Sequence, residues 1–199
     1  MTTDYFALLN EPRRPWLDPE LLKTKFLARS SEAHPDRHHS AGEAEKSAAT
    51  RGFTELNAAY NCLREPKDRL LHLLQLEGGG KPAALQNVPS KTMDFYVEIA
   101  RICREADAFL AERNKTTSPL LRVQMFERGT EWTEKLQTLQ KKLNDRREEL
   151  TQELKSMNRA WEPPDQSRPL DRLEELQRHF SFIARWAEQI QERIVQLSL

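Results

Sequence analysis

A chain of 199 residues is long enough for one or two domains. Its 31 Lys and Arg balance its 31 Asp and Glu. Residues 1–80 (11 basic, 12 acidic) and 81–199 (20 and 19) are balanced separately, which argues against a broad electrostatic nucleic-acid binder. With 38% apolar residues, 31% charged residues and only 6 glycines, the composition fits helices with narrow apolar seams better than a turn-rich all-β fold.

The chain opens Met-Thr-Thr-Asp, without the basic and apolar regions of a secretory signal. A short helix is expected over 4–10. The next is expected over 18–33, where Asp18-Pro19-Glu20 supplies an N-cap side chain and a proline at the first helical position. A third helix is expected over 42–64, with Ala49, Phe53, Leu56, Tyr60 and Leu63 as its apolar stripe. Phe6, Leu9, Leu22, Phe26, Leu70 and Leu73 can cover that stripe. A fourth helix is expected over 66–77. Its run Leu70 to Leu76 is the longest apolar stretch, and His72 and Gln75 interrupt it, so it is far too short to span a bilayer. Gly78-Gly79-Gly80, Pro82 and Pro89 then mark a linker over 78–89.

Beyond the linker the period stays helical. A helix over 90–113 carries Phe95, Ile99, Ile102, Ala106 and Phe109 on one side. Trp132, Leu136, Leu139, Leu143, Leu150, Leu154, Met157 and Trp161 form a second seam, broken once by Arg146. Residues 114–131 read as the connection before it. Pro163, Pro164 and Pro169 separate this seam from a third: Leu173, Leu176, Phe180, Ile183, Ala187, Ile190, Ile194 and Leu197. Three helices with one seam each make a bundle. At about 100° per residue, Tyr96, Val97 and Ala100 fall opposite the first stripe, beside Arg101 and Arg104. Phe182 and Trp186 lie off the third seam, with His179 on their face. Such extra apolar groups are candidates for a contact surface.

The most informative motif is His34-Pro35-Asp36. Pro35 fixes its own φ and pushes His34 away from helical dihedrals, so the tripeptide ends a helix in a stiff corner. Such a corner loses little entropy on docking. It lies between the second helix and one containing Phe53-Thr54-Glu55-Leu56-Asn57-Ala58-Ala59-Tyr60-Asn61-Cys62-Leu63-Arg64-Glu65-Pro66. This arrangement resembles a J-domain, whose third helix carries a similar run and whose H-P-D loop is the functional signature.

Neither a Gly/Phe-rich linker nor a cysteine-rich zinc domain follows. The opening Asp4-Tyr5-Phe6-Ala7-Leu8-Leu9, the extended Leu70–Gly78 segment, Met93-Asp94-Phe95, Arg104-Glu105 and Ala187-Glu188-Gln189-Ile190 are instead similar to the HscB family of J-type co-chaperones in iron–sulfur cluster assembly. The resemblance implies an all-α protein: a J-domain over 1–77, a linker over 78–89 and a helical client-binding domain over 90–199. It implies no covalent chemistry and no cofactor. Its chaperone-binding residues are His34, Pro35, Asp36, Lys23, Lys25 and Arg37, and they engage the ATPase of an HscA/DnaK-type chaperone. Its client-binding residues are Tyr96, Val97, Ala100, Arg101, Arg104, His179 and Phe182, and they hold an IscU-type scaffold. The expected compartment is the cytoplasm, with no nucleic-acid and no membrane partner. The runner-up is a J-domain protein that recruits the same chaperone class to a different client.

Three departures stand out against that family. Leu27 and Ala28 occupy positions where many J-domains carry Lys or Arg, and Ala33 precedes the His where an aromatic residue is usual. Arg101 and Arg104 replace acidic residues of the family's client patch. The rival readings are weaker. His34, His38 and His39 lack the spacing and the Cys or carboxylate partner of a metal site, so no metal is expected. No P-loop, H-E-x-x-H or nucleophile elbow occurs. Cys62 and Cys103 read as small buried hydrophobes rather than a redox pair.

Overall fold

A computed structural model describes residues 3–34, 42–78, 93–161 and 168–198. These form seven helices and no strand: α1 (Tyr5–Leu8), α2 (Pro19–Glu32), α3 (Glu43–Arg64), α4 (Pro66–Leu76), α5 (Met93–Lys115), α6 (Pro119–Trp161) and α7 (Leu170–Ser198). The all-α reading holds, and each of the first four helices lies within a few residues of its expected place. The helix starts have local causes. The Asp18 carboxylate accepts from the N–H groups of Glu20 (2.9 Å) and Leu21 (3.1 Å) ahead of α2. Asp4 does the same for Phe6 and Ala7 ahead of α1. Just past α4, Gly78 adopts φ +81, the left-handed conformation that ends a helix most cheaply at glycine. The rest of the expected linker lies outside the described residues.

The chain divides into two compact units: Met1–Ala84 with Thr151–Gln177, and Leu85–Leu150 with Arg178–Leu199. In the first, α3 packs against α1, α2 and α4. Phe26 of α2 stacks on Tyr60 of α3 at 4.2 Å, and His34 meets Phe53 edge-on at 5.3 Å. Numbers rise along α2 as they fall along α3, so the two helices run antiparallel. Phe6, Leu9, Leu17, Leu22, Leu56, Ala59, Leu63, Leu70 and Leu73 form the core. Phe53 and Tyr60, placed in the α3 stripe from sequence, are only half-buried, and Ala59 is fully enclosed instead. The short Ala59 side chain lets α3 approach its neighbours closely, and the two larger rings lie along the edge facing α2.

Residues 151–177 supply the rest of this unit. Leu154, Met157, Trp161, Leu173 and Leu176 are buried. The Asn158 amide reads the backbone of Trp16 twice: Oδ1 accepts from its N–H at 2.9 Å, and Nδ2 donates to its carbonyl at 2.8 Å. Gln177 donates to the Lys67 carbonyl at 3.4 Å, and Arg168 pairs with Glu77. Arg69, itself buried, donates to the carbonyls of Pro15 (2.9 Å) and Leu63 (2.6 Å). A buried charge of this kind is tolerated because its donors are used.

In the second unit α5, residues 119–150 of α6 and residues 178–198 of α7 form the expected three-helix core. Two expectations change here. The 114–131 connection is mostly helix: only 116–118 separate α5 from α6, which begins at Pro119. Ser118 followed by Pro119 is a helix start, and the Ser118 carbonyl accepts from Arg122 N–H at 3.0 Å. Along this added length Met125 is buried, whereas Leu120, Val123 and Phe126 are exposed. Tyr96 also changes place. The buried line on α5 runs Tyr96, Ile99, Cys103, Ala106, Phe109 and Leu110, while Phe95 and Ile102 sit half-buried at its edge.

Candidate functional site

The structure places His34 immediately after α2, whose last turn closes with Ala33 N–H donating to the Arg29 carbonyl at 3.0 Å. His34 is half-buried against the Phe53 ring, so the residue before the proline is held in place by α3. Pro35, Asp36, Arg37, His38 and His39 lie outside the described residues.

The basic residues of α2 do not act alike. Lys23 is exposed. Lys25 donates to the Asn10 carbonyl at 2.9 Å and pairs at 2.8 Å with Glu11, whose side chain is buried. Arg29 donates to the Leu8 carbonyl. Lys25 was read from sequence as a chaperone-binding residue. The structure shows it holding the turn after α1, where Asn10 takes φ +55. The cause is positional: Lys25 and Arg29 are four apart on the flank of α2 nearest that turn, and the turn offers free carbonyls and a buried carboxylate. Burial of the Glu11 carboxylate, which the sequence alone does not reveal, is what requires the cation.

The candidate client face lies in the second unit. Val97 is 56% exposed, and Arg101 and Arg104 are exposed. Arg101 forms an i,i+4 ion pair with Glu105 at 2.8 Å. Ala100 and Phe182 are half-buried. Tyr96 is buried at 4% exposure, its ring 5.4 Å from that of Phe182. His179 is buried at 3%. The placement of Tyr96 opposite the core stripe is therefore corrected. Phe95 and Tyr96 are consecutive and either could begin the stripe, and Tyr96 aligns with Ile99 and Cys103 at spacings of three and four. Burial pushes its phenol up to about 12, opposed by Arg146. Its hydroxyl has no hydrogen-bond partner among the described residues. Val97, Arg101 and Arg104 remain on the surface, with Ala100 and Phe182 at its margin.

Cys62 and Cys103 are free thiols. Burial raises both, and Cys62 reaches about 11, so neither is an activated nucleophile. Among the described residues no three His, Cys, Asp or Glu side chains gather as a metal site, and no described helix is long and apolar enough to cross a membrane.

No protein-family model matches the chain. It is 40% identical over 74 residues to the "Co-chaperone protein HscB homolog" of Burkholderia mallei, covering 37% of this chain and 42% of that protein. It is 39% identical over 75 residues to the homologue of Cupriavidus taiwanensis, covering 38% of this chain and 43% of that protein. The chain thus matches less than half the length of these curated relatives. Among solved structures, the chaperone HscB from Vibrio cholerae superposes with a TM-score of 0.59 at 21% identity, covering 98% of this chain and 99% of that one. Human co-chaperone protein HscB superposes with a TM-score of 0.60 at 21% identity, covering 96% and 82%. Over 74 residues the chain is thus similar in sequence to HscB co-chaperone homologues, and over nearly its whole length it shares the fold of the solved HscB structures.

Proposed function

We propose that the chain is a J-domain co-chaperone. His34-Pro35-Asp36 stimulates the ATPase of an HscA/DnaK-type chaperone, and the helical C-terminal part delivers an IscU-type iron–sulfur scaffold in the cytoplasm. The observation that carries the reading is His34 at the end of α2, braced by Phe53 of the antiparallel α3 and followed in sequence by Pro35 and Asp36. A residue held against a neighbouring helix, as His34 is against Phe53, binds a partner at a small entropy cost. The chain's part is recognition: His34 and Asp36 can donate and accept hydrogen bonds at the ATPase, and Lys23 and Arg37 add charge that speeds encounter. On the client side, Val97 with Ala100 and Phe182 offers an apolar contact, and Arg101 and Arg104 place positive charge beside it.

That positive charge favours a second reading, in which the same chaperone class is recruited to a different, acidic client. Steady-state ATP hydrolysis by the cognate chaperone separates the two, measured with and without this protein and with and without the scaffold. Synergy between protein and scaffold supports delivery. It should be lost in the Arg101→Glu, Arg104→Glu double variant. Stimulation indifferent to the scaffold supports the other client.

A further inference from the structure

We propose that the groove at the tip of the α5–α6 hairpin docks an acidic amphipathic helix of a partner protein, at a site separate from the candidate client face. The packing register opens this groove. Gln140 of α6 bonds Gln191 of α7 at 2.9 Å, and Ser198 at the end of α7 shares the groove wall with Thr133 of α6. Beyond that level α6 runs on to Pro119, about 20 Å further. The Arg128–Glu112 ion pair, at 3.1 Å, keeps α5 beside it there. The place that α7 holds lower in the bundle is here an open groove of about 700 Å³.

The lining indicates the occupant. Met125, Phe126 and Leu197 make the groove apolar, and Arg113 and Arg122 bring charge to it. Arg113 donates to the carbonyls of Gln196 (2.7 Å) and Leu197 (3.0 Å), which caps α7 and fixes the cation at the wall. Arg122 donates to the Thr116 carbonyl at 3.5 Å. Among the described residues no carboxylate lines the groove, and Lys115 and Glu127, exposed nearby, offset one another. Two arginines over an apolar floor complement an apolar segment that carries carboxylates. Leu120, Val123 and Phe126, at 72%, 61% and 76% exposure and spacings of three, prolong the apolar surface along α6. Such a ridge beside a groove suits a helix laid along the hairpin. A second copy of this chain fits less well, because its tip would bring two more arginines against these. The candidate client residue nearest the groove, Arg104, lies about two and a half turns of α5 from Arg113.

The experiment uses the full chain and a fluorescein-labelled designed peptide, an amphipathic helix with leucines on one face and glutamates flanking them, read by fluorescence anisotropy. The inference expects saturable binding, at least about tenfold tighter than that of the same peptide with lysines for glutamates. Arg122→Glu and Phe126→Ser should each weaken it about tenfold. Both side chains are exposed, so the helical circular dichroism should not change. Val97→Ser, on the candidate client face, should bind as the wild type does. No saturable binding, equal binding of the acidic and basic peptides, or an unchanged affinity in Phe126→Ser would overturn the inference. So would a loss confined to Val97→Ser, which would put the helix on the client face. A wild-type chain that sediments as a dimer while Phe126→Ser sediments as a monomer would also overturn it, because a second copy would then fill the groove. Each of these outcomes leaves the co-chaperone reading standing, since that reading rests on His34 and its effect on ATP hydrolysis.

Discussion

At the scale of single residues, His72 links burial to pH. Its ring is 4% exposed and lies 4.7 Å from the Tyr5 ring and 5.8 Å from the Phe6 ring. Its Nε2 accepts from the Tyr5 N–H at 3.1 Å, which requires the neutral imidazole. Burial holds its pKa below the ordinary histidine value, Asp4 opposes this and Arg13 adds to it. The folded chain therefore binds this proton less readily than the unfolded chain. The stability His72 contributes is fully present above the unfolded value of about 6.5 and is lost as pH falls through it toward the lower folded value. Urea midpoints should drop between about pH 7.5 and pH 5.5. His72→Gln, which keeps an acceptor but takes up no proton, should flatten that slope; an equally steep slope in the variant would contradict the assignment.

Residue roles were legible only in part. His34 was marked by the proline after it. The inward use of Lys25 was not legible, because Lys23 and Lys25 look alike until the turn over 8–11 is folded beneath one of them. The burial of Tyr96 was hidden for a similar reason: consecutive aromatic residues let a helical stripe start at either.

At the scale of elements, α2 is the part whose integrity matters most, since it leads into His34 and carries the exposed Leu27. Its start depends on Asp18, which accepts two backbone N–H groups. Asp18→Ala should lower stability by about 1 kcal/mol, read as a shift of the urea midpoint with unchanged slope. A change in slope instead would mean that the cap alters cooperativity. Most helices were legible because caps, prolines and seams agree. The exception was the first part of α6. Residues 119–131 lack a regular seam because only one side of this stretch, at Met125 and Gly129, is covered, so periodicity had little to report although Ser118-Pro119 signalled the start.

At the scale of the whole molecule, the sequence breaks at Gly78–Gly80 and Pro163–Pro169 predict where helices stop but not which residues pack together. The seam of α6 serves one unit with Leu136, Leu139 and Leu143 and the other with Leu154, Met157 and Trp161. A continuous seam does not announce a change of partner along its length. Asn158 is a sharper sign of the arrangement, since its amide satisfies both backbone groups of Trp16. Asn158→Leu should destabilise the folded chain by about 1–3 kcal/mol, because the Trp16 N–H and carbonyl lose their partners. An unchanged urea midpoint would show that water replaces the amide without cost.

The central claim is that His34, braced at the end of α2, drives a partner ATPase. The most direct measurement is chaperone ATP hydrolysis at saturating wild-type protein and at saturating His34→Gln. The account predicts stimulation by the wild type and none by the variant, with the same helical circular dichroism for both. Equal stimulation by the two proteins would contradict it.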